Sequence, residues 1–233
     1  MKTVGFIGVY DKTNMLLSLA KILTNKQKRV LIIDTTLEQK LKYIVPTIHP
    51  TKTYITSWED IDIAIGFNKF DEILQYTGFH SLENEYDVIF VEIDTAEAFE
   101  SLEAINNDVN FFISAMDLYS IRKGIEIFSG LKNKVNLHRI IFSREMDPTE
   151  EEYINYLTLD YPINWKESMI FFPLILEDRY VEMDNQLLYR IDLKSISPLY
   201  KQSLAHLISI MFRGEISEGE ARKIIKTLEK DGV

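Results

Sequence analysis

Three residues near the amino terminus have the types and spacing to hold a phosphate group and its metal. Lys12 and Thr13 are adjacent at the start of a helical pattern, and Gly8 lies four positions ahead of the lysine. In a loop between a strand and a helix, backbone N–H groups can wrap around phosphate oxygens. A lysine then reaches the β and γ phosphates, and a hydroxyl holds Mg²⁺. The general pattern for that chemistry is G-x-x-x-x-G-K-[ST]. Here Phe6 stands at the first glycine and Asp11 at the glycine next to the lysine. The β-carbon of Asp11 crowds a tight turn, and its charge opposes a triphosphate. Tyr10, inside the same loop, has no glycine-like role and is placed to fill space that phosphates would need.

The elements around the loop must position it. Thr3 to Gly8 reads as a short buried strand and Gly8 to Thr13 as the turn leaving it. Asn14 to Thr24 places Leu16, Leu17, Ala20 and Leu23 on one helical face, and Lys28 to Asp34 is a second apolar strand ending in a carboxylate. Strand, loop, helix and strand make a βαβ unit with a right-handed crossover. The loop then falls at the carboxyl edge of the sheet, where α/β proteins bind ligands. The alternation continues. Strands are expected at Asp60 to Gly66, Tyr86 to Ile93, Val109 to Ser114, Leu137 to Ser143 and Ser168 to Pro173. Helices are expected at Leu37 to Val45, around Phe70 to Phe79, and at Ala96 to Ile105, Leu118 to Leu131, Pro148 to Leu157 and Leu199 to Met211. Thr47 to Trp58 reads as a loop with a short strand. The expected fold is α/β: a doubly wound, mostly parallel sheet with helices on both faces.

The stretch resembles the MinD/ParA branch of P-loop NTPases, whose deviant loop reads K-G-G-x-G-K-T. Aligned without gaps, Gly8, Lys12 and Thr13 match it; Ile7 stands at the signature lysine, and Val9 and Asp11 at the second and third glycines. The spacing from Lys12 to Asp34 also fits the branch, with Thr36 replacing the second Asp of its D-x-D. Ser143-Arg144 resembles the branch's base-contacting T-R, and Glu177-Asp178 and Asn185-Gln186 resemble its P-E-D and N-Q pieces, with Leu176 in place of the proline. The resemblance implies ATP and Mg²⁺ as cofactors. It assigns nucleotide contacts to Gly8, Lys12, Thr13, Arg144 and Asp178, and metal contacts to Thr13, Asp34 and Glu92, with Asp94 beside Glu92. In the branch the signature lysine crosses a dimer to the other subunit's nucleotide, which Ile7 cannot do.

Composition limits the partners. A net charge of −10, from 26 basic and 36 acidic residues, disfavours nucleic acid, which needs a basic face to displace counterions. The absence of cysteine excludes disulfides and thiolate chemistry. His49, His80, His138 and His206 share no metal-ligand spacing. No apolar run approaches the ~20 residues of a membrane span, so a cytoplasmic protein is expected. Residues 1–213 read as one domain and residues 214–233 as a helical tail with Ala221, Ile224, Ile225 and Leu228 along one stripe. Several MinD-like proteins end in an amphipathic helix that lies on membranes, so the resemblance implies a peripheral contact with the inner membrane face as one alternative. The small stripe favours packing on the body or on a partner.

Two classes of function follow from the resemblance. One is a catalytically degenerate scaffold that positions a pilus, flagellum, secretion or division apparatus; the other is a weak Mg-ATPase that switches dimerisation with nucleotide. Ile7, Val9 and Tyr10 put apolar side chains where small or charged ones would line a phosphate site. A homodimer, or a heterodimer with a related chain, covering Val9 and Tyr10 is the expected way to bury them.

Overall fold

Alternation in the first strand decides the layering. Val4 and Phe6 enter one hydrophobic core and Ile7 enters a second on the opposite face. The computed structural model describes residues 1–47, 51–145 and 148–231; the 48–50 part of the expected loop, with His49, lies outside them. In chain order the first half comprises β1 (Lys2–Ile7), α1 (Thr13–Asn25), β2 (Val30–Asp34), α2 (Leu41–Ile44), β3 (Tyr54–Trp58), β4 (Ile61–Ile65), α3 (Phe70–Thr77), α4 (Leu82–Glu85), β5 (Val88–Ile93) and α5 (Ala96–Ser101). A 3₁₀ turn follows at Ala104–Asn106. The second half comprises β6 (Val109–Ala115), α6 (Leu118–Glu126), β7 (Val135–Ser143), α7 (Pro148–Leu157), β8 (Ile163–Pro173), α8 (Leu176–Leu187), α9 (Pro198–Met211) and α10 (Glu218–Asp231).

The strands form one eight-stranded sheet in the order β3-β4-β2-β5-β1-β6-β7-β8. Every pairing is parallel except β3 with β4, the edge hairpin. Its two turn residues, Glu59 and Asp60, have φ of 54° and 64°, the backbone a two-residue hairpin needs. Val30, Ile32, Val88 and Phe90 face the core shared with α1, α9 and α10; Leu31, Ile33, Ile89 and Val91 face the core shared with α3, α5 and α6. Both faces are covered, as parallel strands of near-continuous apolar sequence require. The expected mostly parallel, doubly wound sheet is therefore what forms.

Several elements differ from the sequence expectation; the helix expected over Leu118 to Leu131, for one, ends at Glu126. The helix expected from Leu37 begins only at Leu41, because Asp34 accepts the Thr36 N–H at 3.0 Å and Thr36 Oγ1 accepts the Gln39 N–H at 3.1 Å. Such side-chain turns compete with helix. The helix expected over Ala96 to Ile105 breaks at Glu103, which has φ of 49°. The strand expected from Ser168 begins at Ile163, and α8 lies where only short motif fragments were recognised.

Over its described residues the tail packs on the body. Ile216, Ala221 and Ile225 are buried in the core that α1 and α9 share, and α10 packs on both helices. Its apolar stripe is covered by the protein's own body, which removes the basis for a membrane contact through it.

Gly8 has φ of +141°, and a β-carbon there would lie 2.1 Å from the Ile113 carbonyl oxygen. The close approach of the loop to β6 therefore demands glycine, whatever the loop binds. Gly8→Ala is expected to cost at least about 3 kcal/mol in chemical denaturation; a loss below about 1 kcal/mol would mean that the loop relaxes freely.

Candidate functional site

The loop after β1 ends the parallel sheet at its carboxyl edge, and α1 starts from it at Thr13. β2 and β5 end beside it, in register Asp34 with Glu92, so the strand termini deliver these two carboxylates to one place. The lysine, the hydroxyl and both carboxylates come together because three adjacent parallel strands stop there.

Lys12 is buried, 2% exposed, and its ammonium turns back on its own loop. Nζ donates to the Gly8 carbonyl at 2.8 Å and lies 3.4 Å from Glu92 Oε1. Burial drives the Glu92 carboxyl up to about 7; the Lys12 charge opposes that rise, while Asp34 and Asp11 add to it. Asp34 is fully buried and accepts from Thr36 N, Thr36 Oγ1 and Leu41 N at 3.0, 2.6 and 3.3 Å. Burial raises its pKa against those bonds. Asp94 accepts the Leu37 N–H at 3.1 Å.

Asp11 occupies the start of α1. Its Oδ1 accepts the Thr13 N–H at 3.1 Å and its Oδ2 pairs with Lys40 Nζ at 3.2 Å. Burial opposes ionisation, but Lys40 and the Thr13 N–H together hold this carboxyl below the usual range. A negative group at a helix N-terminus is where the free N–H groups and the dipole favour it. Lys40 carried no signal in the sequence; it meets Asp11 only because the turn after β2 returns α2 to the loop.

A cavity of about 640 Å³ opens over this cluster, lined among others by Val9, Asp11, Lys12, Glu92, Asp94 and Tyr119. Arg144 is exposed in the turn after β7 and is not among the lining residues. Asp178 is 2% exposed, and its two oxygens accept from Ser197 N at 2.6 Å and Ser197 Oγ at 2.7 Å. Its visible task is to tie α8 to the start of α9. Ile7 is fully buried in the sheet, and Tyr10 packs on Phe142 with ring centroids 4.9 Å apart. Of the apolar loop edge expected from the sequence, Val9 alone borders the cavity without a packed aromatic partner of its own chain.

Tested against MgATP, the residues fit unevenly. Thr13 Oγ1 and Glu92 Oε2 are buried without a hydrogen-bond partner, a donor pair that suits a hydrated cation. The phosphate side does not fit: Asp11 holds the Thr13 N–H, Lys12 is committed to Gly8 and Glu92, and Lys40 to Asp11. Among the described residues, no group of three or more His, Cys, Asp or Glu gathers to hold a metal by itself.

No protein-family model and no curated protein matches the chain. Its structure is similar to that of a ParA family ATPase from Chlorobium tepidum TLS, with a TM-score of 0.57 and 15% identity, covering 90% of this chain and 98% of that one. It is also similar to a plasmid partition protein from Borrelia burgdorferi B31 bound to AMPPNP, with a TM-score of 0.56 and 12% identity, covering 89% and 98%. MinD in the MinC:MinD cell division complex of Aquifex aeolicus gives a TM-score of 0.53 and 12% identity, covering 100% and 98%. Identities this low establish the fold alone: the chain has the P-loop NTPase-like architecture of MinD and ParA.

The raised Glu92 pKa has a stability consequence. Between the unfolded value of 4.5 and about 7, the folded state binds more protons than the unfolded one, so this group's contribution falls as pH rises through that window. Glu92→Gln abolishes the titration. Relative to the parent, the variant should gain stability between pH 5 and pH 8 by up to about 3 kcal/mol in denaturant titrations. A difference independent of pH would show that Glu92 titrates normally.

Proposed function

We propose that this protein is a MinD/ParA-like scaffold that does not turn over ATP and that positions or assembles a partner machine through protein contacts. The observation that carries this reading is Asp11, whose carboxylate sits on the Thr13 N–H at the head of α1 and is neutralised by Lys40. An internal anion thus stands where a bound phosphate would be recognised. Phosphoryl transfer depends on positive charge gathered around the γ-phosphate. Here the three lysines that line the cavity, Lys12, Lys40 and Lys123, each pair with a carboxylate of the protein's own, and Ile7 supplies no further charge.

A partner apparatus such as a pilus, flagellum, secretion or division machine suits a chain of this fold with a net charge of −10, which disfavours DNA. The MinD relative was solved with a protein partner, MinC. We place the scaffold in the cytoplasm; among the described residues no helix is long and apolar enough to cross a membrane. The second reading, a weak Mg-ATPase, is favoured by the unpartnered Thr13 and Glu92 oxygens and by the AMPPNP held by the Borrelia relative.

Calorimetric titration with ATP, with and without Mg²⁺, separates the two. The parent should bind no more tightly than about millimolar, and Asp11→Gly should bind at least about tenfold more tightly, a gain of about 1.4 kcal/mol. Hydrolysis by the parent that Lys12→Ala abolishes would replace the scaffold with the enzyme.

A further inference from the structure

We propose that the chain pairs with a second copy of itself through the outer face of α8, the two helices running parallel about a two-fold axis. α8 is inverted relative to an ordinary surface helix. Apart from Val181, which packs on the core, its inner face is polar: besides Asp178 on Ser197, Glu182 accepts from Tyr200 at 3.5 Å, Asn185 bonds the Asp192 backbone at 2.9 and 3.3 Å, and Gln186 donates to Asn14 at 3.1 Å. Its outer face is apolar: Leu176, Tyr180, Met183 and Leu187 are 62%, 56%, 55% and 75% exposed. Leu188 and Tyr189, just past the carboxyl end of α8, are 59% and 58% exposed.

The spacing identifies the shape of the occupant. The four stripe residues recur at intervals of four, three and four, the narrow seam through which one helix meets another, not the broad stripe that beds on a sheet. Four large apolar side chains exposed along one helix face are the kind of grouped apolar surface that marks an interaction site, unlike surface hydrophobics scattered singly.

Charge identifies the occupant as a second copy and sets its direction. Glu177 and Asp184 lie along one flank of the stripe, Arg179 and Gln186 along the other. In a parallel pair, opposite flanks meet, and residues five positions apart face each other across the seam. Arg179 then meets Asp184 of the second copy, twice by symmetry. Arg179 is exposed with a single ion-pair partner, Glu182 at 3.1 Å, and Asp184 has none among the described residues. In an antiparallel pair, like flanks meet and set Glu177 beside Asp184 of the second copy. Pairing through α8 leaves the cavity over Lys12 out of the interface's chemistry, so it needs no nucleotide and does not rest on the scaffold reading. Its effect would be to present two copies of every other surface to a partner, which raises avidity without new contacts.

Sedimentation of the full chain without nucleotide tests it. The expected result is a monomer–dimer equilibrium at tens of micromolar, unchanged by ATP. Met183→Lys combined with Leu187→Lys alters only exposed side chains and should give a monomer with an unchanged circular dichroism spectrum. Asp184→Lys alone should weaken the dimer at least about fivefold. Direction is read with Leu187→Cys, the one thiol in a chain that has none. Parallel helices bring the two thiols together and a disulfide-linked dimer forms on mild oxidation; antiparallel ones hold them roughly 16 Å apart. A monomer at these concentrations, a dimer that survives the double lysine variant, or a Leu187→Cys dimer that does not cross-link would each overturn the proposal.

Discussion

The loop is organised by one buried charge. Lys12 carries an ammonium at 2% exposure, and a buried charge without compensation is costly enough that its surroundings must supply partners. Two are supplied: the Gly8 carbonyl from the same loop and the Glu92 carboxylate from the adjoining strand. Each imposes a further constraint. Gly8 must come close enough to β6 that no β-carbon fits, and Glu92 must ionise in a fully buried position, which its raised pKa shows to be unfavourable. The pair is therefore held in place by the sheet more than it stabilises the sheet, since desolvation offsets much of the attraction between buried ions.

Asp11 completes that arrangement from the other side. A helix start leaves backbone N–H groups unpaired, and something must accept from them. Lys12, at the N-cap position, gives α1 no side-chain cap. Asp11 accepts the Thr13 N–H instead, and Lys40 balances the charge this brings. Loop, helix start and the turn after β2 thus form a set in which nearly every polar group is answered from within the chain. The exceptions, Thr13 Oγ1 and Glu92 Oε2, are buried oxygens of the kind a hydrated cation takes as partners.

The sequence made the sheet legible and the site only in part. Strands such as Val88–Ile93 are continuous apolar runs of the length a buried parallel strand needs, and little else accommodates them. The convergence of Lys12, Asp34 and Glu92 followed from where three such runs stop. What could not be read depends on contacts between distant segments. Ile7 belongs both to the expected buried strand and to the expected apolar loop edge, and the pleat places it in the core. Lys40 meets Asp11 across 29 positions, through a turn set by Asp34 and Thr36. Asp178 resembles a nucleotide contact in its motif, and its bonds to Ser197, 19 positions on, carried no signal in the sequence.

α8 shows the same limit more sharply, because its apolar stripe is turned outward. A period of 3.6 says that one face differs from the other, and ordinarily the apolar face is the buried one. Here the hydrogen bonds of Asp178, Glu182, Asn185 and Gln186 to α9, α1 and the loop before α9 fasten the polar face to the body. Reversing the helix would bury Leu176, Tyr180, Met183 and Leu187 but leave those four polar groups to find partners in water, and would release Ser197, the N-cap of α9, from Asp178. The inward set is specific and directional; the outward set is non-directional and can be satisfied by any apolar surface of the right shape. A helix so built keeps its orientation whether or not its apolar face is covered, which is the property required of a surface meant to be filled from outside.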